Sequence, residues 1–376
     1  MRKCPMRLLV LILAVSAAAQ STPHLQTSHT TESLRGISAV SQKIIWASGT
    51  HGTYLRTIDA GRTWTPAQVP GATALDFRGV VAFSADEAFL MSSGPGDQSR
   101  IYHTTDAGQH WQLQFTNTNP KGFFDSIAFW DPHHGIALGD PVPDENGRPK
   151  FELLVTDDGK TWHQLPPQRL PEALEGEGAF AASNSCLAIL SSNSVVLSGA
   201  VAQAHHGQLR SRRPPSSTTD PHDPNIWFAT GGKTARVFHS SDNGRSWQVF
   251  DTPIIHGPDS AGIFSIAFRN ATDGVIAGGD YKHPAADGPN LAFTHDGGKT
   301  WHLSEFHPQA YFSAATYGAN NHLLVLAQDS ILEFGSSPIP RRLSLKNNPT
   351  PFNAIAAFQI QGAIAVGAKG AIAAIQ

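Results

Sequence analysis

Thr57-Ile58-Asp59-Ala60-Gly61-Arg62-Thr63-Trp64 recurs four more times along the chain. The copies are Thr104-Thr105-Asp106-Ala107-Gly108-Gln109-His110-Trp111, Val155-Thr156-Asp157-Asp158-Gly159-Lys160-Thr161-Trp162, Ser240-Ser241-Asp242-Asn243-Gly244-Arg245-Ser246-Trp247 and Thr294-His295-Asp296-Gly297-Gly298-Lys299-Thr300-Trp301. Each places an Asp (Asp59, Asp106, Asp157, Asp242, Asp296) two residues before a Gly and five before a Trp. That spacing predicts a tight hairpin. The carboxylate accepts hydrogen bonds from backbone N–H groups just ahead of it, and Gly61, Gly108, Gly159, Gly244 and Gly298 supply the φ > 0 position. The Trp opens the returning strand and is expected to bury its ring against the next repeat. A satisfied turn accounts for these Asp residues without any catalytic role. In the third copy Val155 stands where the others carry a hydroxyl.

Upstream of each turn lies a strand that is apolar on both faces, as a fully buried strand must be. Examples are Leu34-Arg35-Gly36-Ile37, Phe77-Arg78-Gly79-Val80, Phe124-Asp125-Ser126-Ile127 and Phe264-Ser265-Ile266. A second short strand ending in small residues follows each. The Trp-to-Trp spacings are 47, 51, 85 and 54 residues. A period near that value with four short strands per repeat predicts an all-β, seven-bladed propeller of four-stranded antiparallel blades. The fourth repeat reads from Gly178-Ala179-Phe180-Ala181-Ala182 and resumes at Ile226, with a polar insertion over 191–225 expected to be mobile. Two last repeats lack the turn motif but keep the strands, and the final one stops a strand short. His24-Leu25-Gln26-Thr27-Ser28 is the spare strand that would close the ring.

The 34 Gly and 26 Pro suit many turns, and a net charge of −3 with no basic stripe argues against nucleic acid. Residues 1–19 read as a secretory signal: Arg2, Lys3 and Arg7 precede an apolar run over 8–15 that is too short to span a bilayer, and Ala17-Ala18-Ala19 offers a cleavage site. The expectation is an exported, periplasmic or extracellular monomer: a single propeller over 20–376, net charge −6, with no remaining membrane span. Cys4 leaves with the signal, so Cys186 has no internal disulfide partner and reads as buried core.

Successive loops of a propeller alternate between its two faces, so the recurring turns share one face. The longer, charged loops fall on the other, where binding residues tend to lie. Those loops carry Asp140, Glu175, Glu177, Asp280 and Tyr281. Pseudo-symmetry adds Arg35, Arg78, Asp125 and Asn353 at equivalent starts of innermost strands, with Phe264 and Phe312 in the same place elsewhere. Two Arg at the channel mouth could grip a carboxylate or an acidic peptide segment. Alternatively each pairs with Asp125, Glu175 or Glu177 and merely ties blades together. Asp140, Glu177 and Asp280 also admit a glycosidase reading, with two carboxylates as acid and nucleophile or base. The 18 His show no HExxH spacing, and no phosphate-cradling Gly loop appears, so neither metal nor nucleotide cofactor is expected.

The recurring turn resembles the Asp-box of sialidases, sortilin-type receptors, some xyloglucanases and the Ycf48-like photosystem II assembly factors. The Arg-Ile-Pro motif and Tyr–Glu pair of sialidases are absent. With its Leu34-Arg35-Gly36-Ile37 and Phe77-Arg78-Gly79-Val80 starts, Gly-rich strand ends and boxes over nearly the whole mature chain, the sequence is most similar to the Ycf48-like group. That resemblance implies a non-catalytic protein docking a protein or peptide partner, typically in the assembly of a membrane complex. The chain departs from the group in its long insertion, two missing boxes and only two mouth arginines. A hydrolase acting on a polysaccharide or sialoside is the alternative class.

Overall fold

Every apolar cluster among the described residues lies between two neighbouring sheets, and there are seven such clusters. Strands apolar on both faces require this arrangement, since each sheet must be covered on both sides. The computed structural model describes residues 23–190, 223–306, 309–335, 339–344, 350–358 and 360–375. The expected signal (1–19) and most of the expected insertion (191–222) lie outside the described residues.

Seven antiparallel sheets form the blades. Blade 1 is Leu34–Ala39, Ile45–Gly49, Thr53–Thr57 and Thr65–Gln68, and the later blades repeat that order from the channel outward. Blade 7 is Phe352–Ala357, Ala363–Gly367 and Ile372–Ile375, completed by Pro23–Gln26, whose Pro23 pairs with Ile375 and Gln26 with Ile372. The first described strand therefore closes the ring. A cluster joining Leu34, Ile37 and Trp64 to Ile364, Val366 and Ile372 seals the same seam.

The Asp-box turns show why their residue types recur. In box 1 the Gly61 N–H donates to Thr57 Oγ1 at 3.0 Å, Thr57 Oγ1 donates to Asp59 Oδ1 at 2.8 Å, and the Thr63 N–H donates to the same carboxylate oxygen at 2.9 Å. Boxes 2, 4 and 5 repeat the pattern with Thr104/Asp106, Ser240/Asp242 and Thr294/Asp296. Box 3 corrects the sequence reading. Its carboxylate is Asp158, not Asp157, and its hydroxyl is Thr156, so Val155 costs the turn nothing. The turn is one residue shorter: the other boxes carry two consecutive left-handed residues, such as Ala60 and Gly61, and this one carries Gly159 alone.

The Trp rings are a second correction. They pack on the preceding blade, not the next. Trp64 Nε1 donates to Gln26 Oε1 in blade 7, Trp162 Nε1 donates to Gln114 Oε1 in blade 2, and Trp111 stands edge-on to Trp46 and Tyr54 of blade 1. The residue opening the outermost strand points to the sheet face turned toward the blade before it, and side-chain alternation fixes that choice.

Blade 4 is the third correction. Its innermost strand is Leu187–Leu190, followed by Asn225–Ala229, Arg236–Ser240 and Gln248–Asp251. Gly178 belongs to a two-residue strand that, with Gly231–Gly232, extends the inner edge of the blade 5 sheet, and residues 179–182 cross the channel mouth. Asn225, assigned to the insertion from sequence, already belongs to the second strand.

Trp64→Ala is expected to cost about 3–5 kcal/mol in urea unfolding, because a ring that is 2% exposed is lost together with its bond to the closing strand. A loss under 1 kcal/mol would show that the blade 7–blade 1 seam does not hold the ring.

Candidate functional site

Six innermost strands carry a bulge at one equivalent position, where the register slips past Arg35, Arg78, Asp125, Phe264, Ser313 and Asn353. A bulge leaves one residue unpaired and re-aims its side chain. All six line a cavity of about 940 Å³ at the channel mouth, on the face opposite the Asp-boxes. Ser313, not Phe312, holds the place in blade 6; Phe312 is wholly buried. Sequence symmetry alone could not choose between adjacent residues at a bulge.

The floor is made by the connection between blades 3 and 4. Glu177–Gly178 pairs with Gly231–Gly232, and the chain then dips across the channel. Phe180 stacks on Phe264 with ring centroids 4.0 Å apart. A Cβ at Gly231 would come within 2.3 Å of the Phe180 ring, so glycine there makes room for the strap. Ser183 Oγ donates to the Ser313 carbonyl of blade 6 at 2.7 Å, and Ser185 Oγ to Ser265 Oγ of blade 5 at 2.9 Å. Asn184, at φ 61°, receives the Ile127 N–H on Oδ1 at 2.8 Å and donates through Nδ2 to the Ile127 carbonyl at 3.0 Å, replacing a strand's ladder bonds in blade 3. The strap thus ties three blades together and gives the mouth a floor.

The walls differ in character. On blades 1 and 2, Arg35 and Arg78 converge on Asp76: Arg78 Nε donates to Asp76 Oδ2 at 2.9 Å, and Arg35 Nε lies 3.7 Å from Oδ1. Arg78 also donates to the Ala181 carbonyl of the strap at 3.0 Å. Two guanidinium groups therefore share one carboxylate. Sequence reading missed Asp76, although it lies on the same strand as Arg78, two residues earlier. Neither Asp125, Glu175 nor Glu177 is the partner of these arginines. The opposite wall is aromatic: Phe264 meets Tyr311 edge-on at 4.8 Å and Tyr281 at 6.1 Å, with Tyr281 47% exposed.

Of the remaining sequence candidates, Asp125 and Asp140 line the cavity from blade 3. Asp125 is 1% exposed and its Oδ2 finds no hydrogen-bond partner. Burial, with the nearby Asp140 charge, pushes its carboxyl well above the usual range, and Arg78 only partly opposes this. Asp140 is pushed up to about 6 by burial, against the hydrogen bond it accepts from the Ala179 N–H at 3.0 Å. Glu177 also lines the cavity, but its carboxylate is fully committed: Arg236 grips both oxygens, Thr230 Oγ1 donates at 2.7 Å and the Leu174 N–H at 2.8 Å. Glu175 and Asp280 are not among the lining residues. Glu175 is exposed beside Lys233. Burial at Asp280 is outweighed by bonds from His283, Ser260 and the Lys282 N–H, which hold it to about 2. The three carboxylates of the glycosidase reading therefore do not meet in one cleft with free oxygens.

Among the described residues no group of three or more His, Cys, Asp or Glu is placed to hold a metal ion, and no helix is long and apolar enough to cross a membrane. Cys186 is buried, and burial pushes its thiol up, away from any nucleophilic role.

The family described as BNR/Asp-box repeat matches residues 292–303, the box of blade 5. No curated protein sequence matches the chain. Among solved structures it is similar to YCF48 from Cyanidioschyzon merolae, at 17% identity over 94% of this chain and 98% of that one, with a TM-score of 0.58. It is also similar to the WD40 propeller domain of Doa1 (10% identity, 96% and 97% covered, TM-score 0.58) and to a catalytically inactive virginiamycin B lyase from Staphylococcus aureus (13%, 95% and 99%, 0.56). The chain is a propeller carrying Asp-boxes, similar in fold to YCF48; a fold shared with a lyase assigns no chemistry by itself.

Asp140 and the box carboxylates set opposite pH dependences of stability. Asp106 and Asp296 are held to about 2, so their contribution is present above the unfolded value of about 4 and fades as pH falls toward 2. Asp140, raised to about 6, stabilises below about pH 4 and loses that contribution as pH rises to about 6. Asp140→Asn is therefore expected to flatten the decline of Tm between pH 4 and 6 while leaving the acid limb below pH 4 intact. An unchanged profile would contradict the burial of this carboxyl.

Proposed function

We propose that the protein is a non-catalytic docking propeller that captures a carboxylate-bearing segment of a protein or peptide partner at the channel mouth, on the face opposite the Asp-boxes. One observation carries this reading: Arg35 and Arg78 share a single carboxylate, Asp76, inside a floored cavity whose other wall is aromatic. A second carboxylate is the ligand group that the paired guanidinium forks lack, and a half-exposed Tyr281 on the facing wall suits an extended peptide. The apolar run over 8–15 favours export to a periplasmic or extracellular setting, where a membrane complex is a fitting partner.

A glycoside hydrolase finds less support. Asp140 has the raised carboxyl such an acid needs, but Glu177 is saturated by donors and Asp280 lies outside the cavity, so the second carboxylate is missing from the proposed set.

Arg35→Glu with Arg78→Glu is expected to weaken capture of an acidic peptide pool at least about a hundredfold and, because Arg78 also holds Asp76 and the strap, to lower the unfolding free energy in urea by about 1–3 kcal/mol without unfolding the ring. Fluorescence anisotropy measures the first and circular dichroism the second. Glycan-panel hydrolysis that disappears in Asp140→Asn would overturn the docking function.

A further inference from the structure

Asp125 occupies the position in blade 3 that Arg35 and Arg78 occupy in blades 1 and 2, yet it is nine-tenths buried and more, faces the cavity, and leaves Oδ2 without a partner. A buried carboxylate without donors is costly, whereas a buried carboxylic acid has an O–H to give. The groups packed around it favour the acid. Asp140 comes from the second strand of its own blade, Glu152 from the third, and the Cys186 thiol from the chain beyond the strap; none of these supplies a positive charge. Glu152 is itself raised by burial and accepts from Asn117 Nδ2 at 2.9 Å. Among the described residues Arg78 is the cation whose charge acts on Asp125, and its hydrogen bonds go to Asp76 and to the Ala181 carbonyl; Lys121 and Arg35 line the same cavity. Arg35 Nε, across the mouth, also has no hydrogen-bond partner.

We propose that Asp125, as a carboxylic acid, is the specificity-determining donor of this site: it gives its proton in a hydrogen bond to the same ligand carboxylate that Arg35 and Arg78 attract, so that capture is linked to the uptake of a proton. This rests on the docking function proposed above and adds a chemical requirement to it. The ligand must present a carboxylate; a neutral carbonyl would accept hydrogen bonds from the acid and the guanidinium groups but would forgo the charge attraction that Arg35 and Arg78 supply. Ionised Asp125 and Asp140 would face the ligand with like charge, so binding weakens as pH rises through about 6, the value to which Asp140 is pushed, and above.

The test uses the full chain and three tetrapeptide pools, randomised over residues other than Asp and Glu and labelled with an uncharged, pH-insensitive BODIPY dye: one with free C-terminal carboxylates, one amidated, and one amidated but carrying Glu at the last position. Dissociation constants are measured at pH 5 and pH 8. The free-acid pool, the Glu pool or both are expected to bind about tenfold or more tightly at pH 5 than at pH 8, with the neutral amide pool weak at both. Asp125→Asn keeps a donor of the same shape but has no proton to lose, so its affinity at pH 8 should rise toward that at pH 5. A pH-independent parent that still loses binding in Arg35→Glu/Arg78→Glu overturns the role of Asp125 and leaves docking standing. Failure of every pool to bind at either pH, or equal binding of the amide pool, removes the docking function as well. Because an amide relieves the buried acid, Tm of Asp125→Asn at pH 8 should equal or exceed that of the parent. A fall of about 10 °C would instead mark Asp125 as a structural residue and overturn the proposal.

Discussion

No blade of this protein has a core of its own. The apolar residues on each sheet face are buried only when the neighbouring sheet covers them, and the seven clusters lie in seven seams. Such a ring is satisfied only when closed, because an open end leaves one face of a blade in water. Closure falls to the strand Pro23–Gln26, laid along Ile372–Ile375, and to the Trp64–Gln26 bond that fastens the first box to it. The Asp-boxes act in the same service. Each self-satisfied turn delivers a Trp to the seam behind it, and none leaves its carboxylate free for chemistry.

A closed ring of innermost strands has a mouth, and the repeated bulge decides what the mouth displays. In six of the seven blades one unpaired residue is turned toward the axis, so a function can be changed residue by residue without disturbing the seams. Blades 1 and 2 place guanidinium groups there, blade 3 a carboxyl, blade 5 a phenyl ring. The strap over 178–185 adds a floor, and it is held by hydrogen bonds to three blades and by Arg78. Binding residues and scaffold meet at that arginine, which links Asp76, the strap and the cavity.

Legibility from sequence followed periodicity. The blades, their count and the closing strand were readable because a box or an apolar strand pair recurs about every fifty residues. Arg35, Arg78 and Asp125 were readable because they recur in register. Blade 4 was misread where the repeat is broken: Gly178-Ala179-Phe180-Ala181-Ala182 looks like a small-residue inner strand, but glycines at 231 and 262 leave space for Phe180 to lie across the channel instead. Asp76 and Tyr311 left no repeating signal, since neither residue type recurs at that register in other blades; Arg236 recurs as Arg100 at the start of a third strand, but its partner Glu177 lies on the broken repeat. Box 3 misled because two adjacent aspartates offer two registers, and only the hydroxyl of Thr156 selects Asp158.

Hydrogen–deuterium exchange in the presence of a bound acidic peptide tests the working face most directly. Slowed exchange confined to residues 34–36, 77–79 and 178–184, at the mouth and its floor, is the expected result. Slowed exchange at the box turns, such as 58–63 and 105–110 on the opposite rim, with the mouth unchanged, would contradict it.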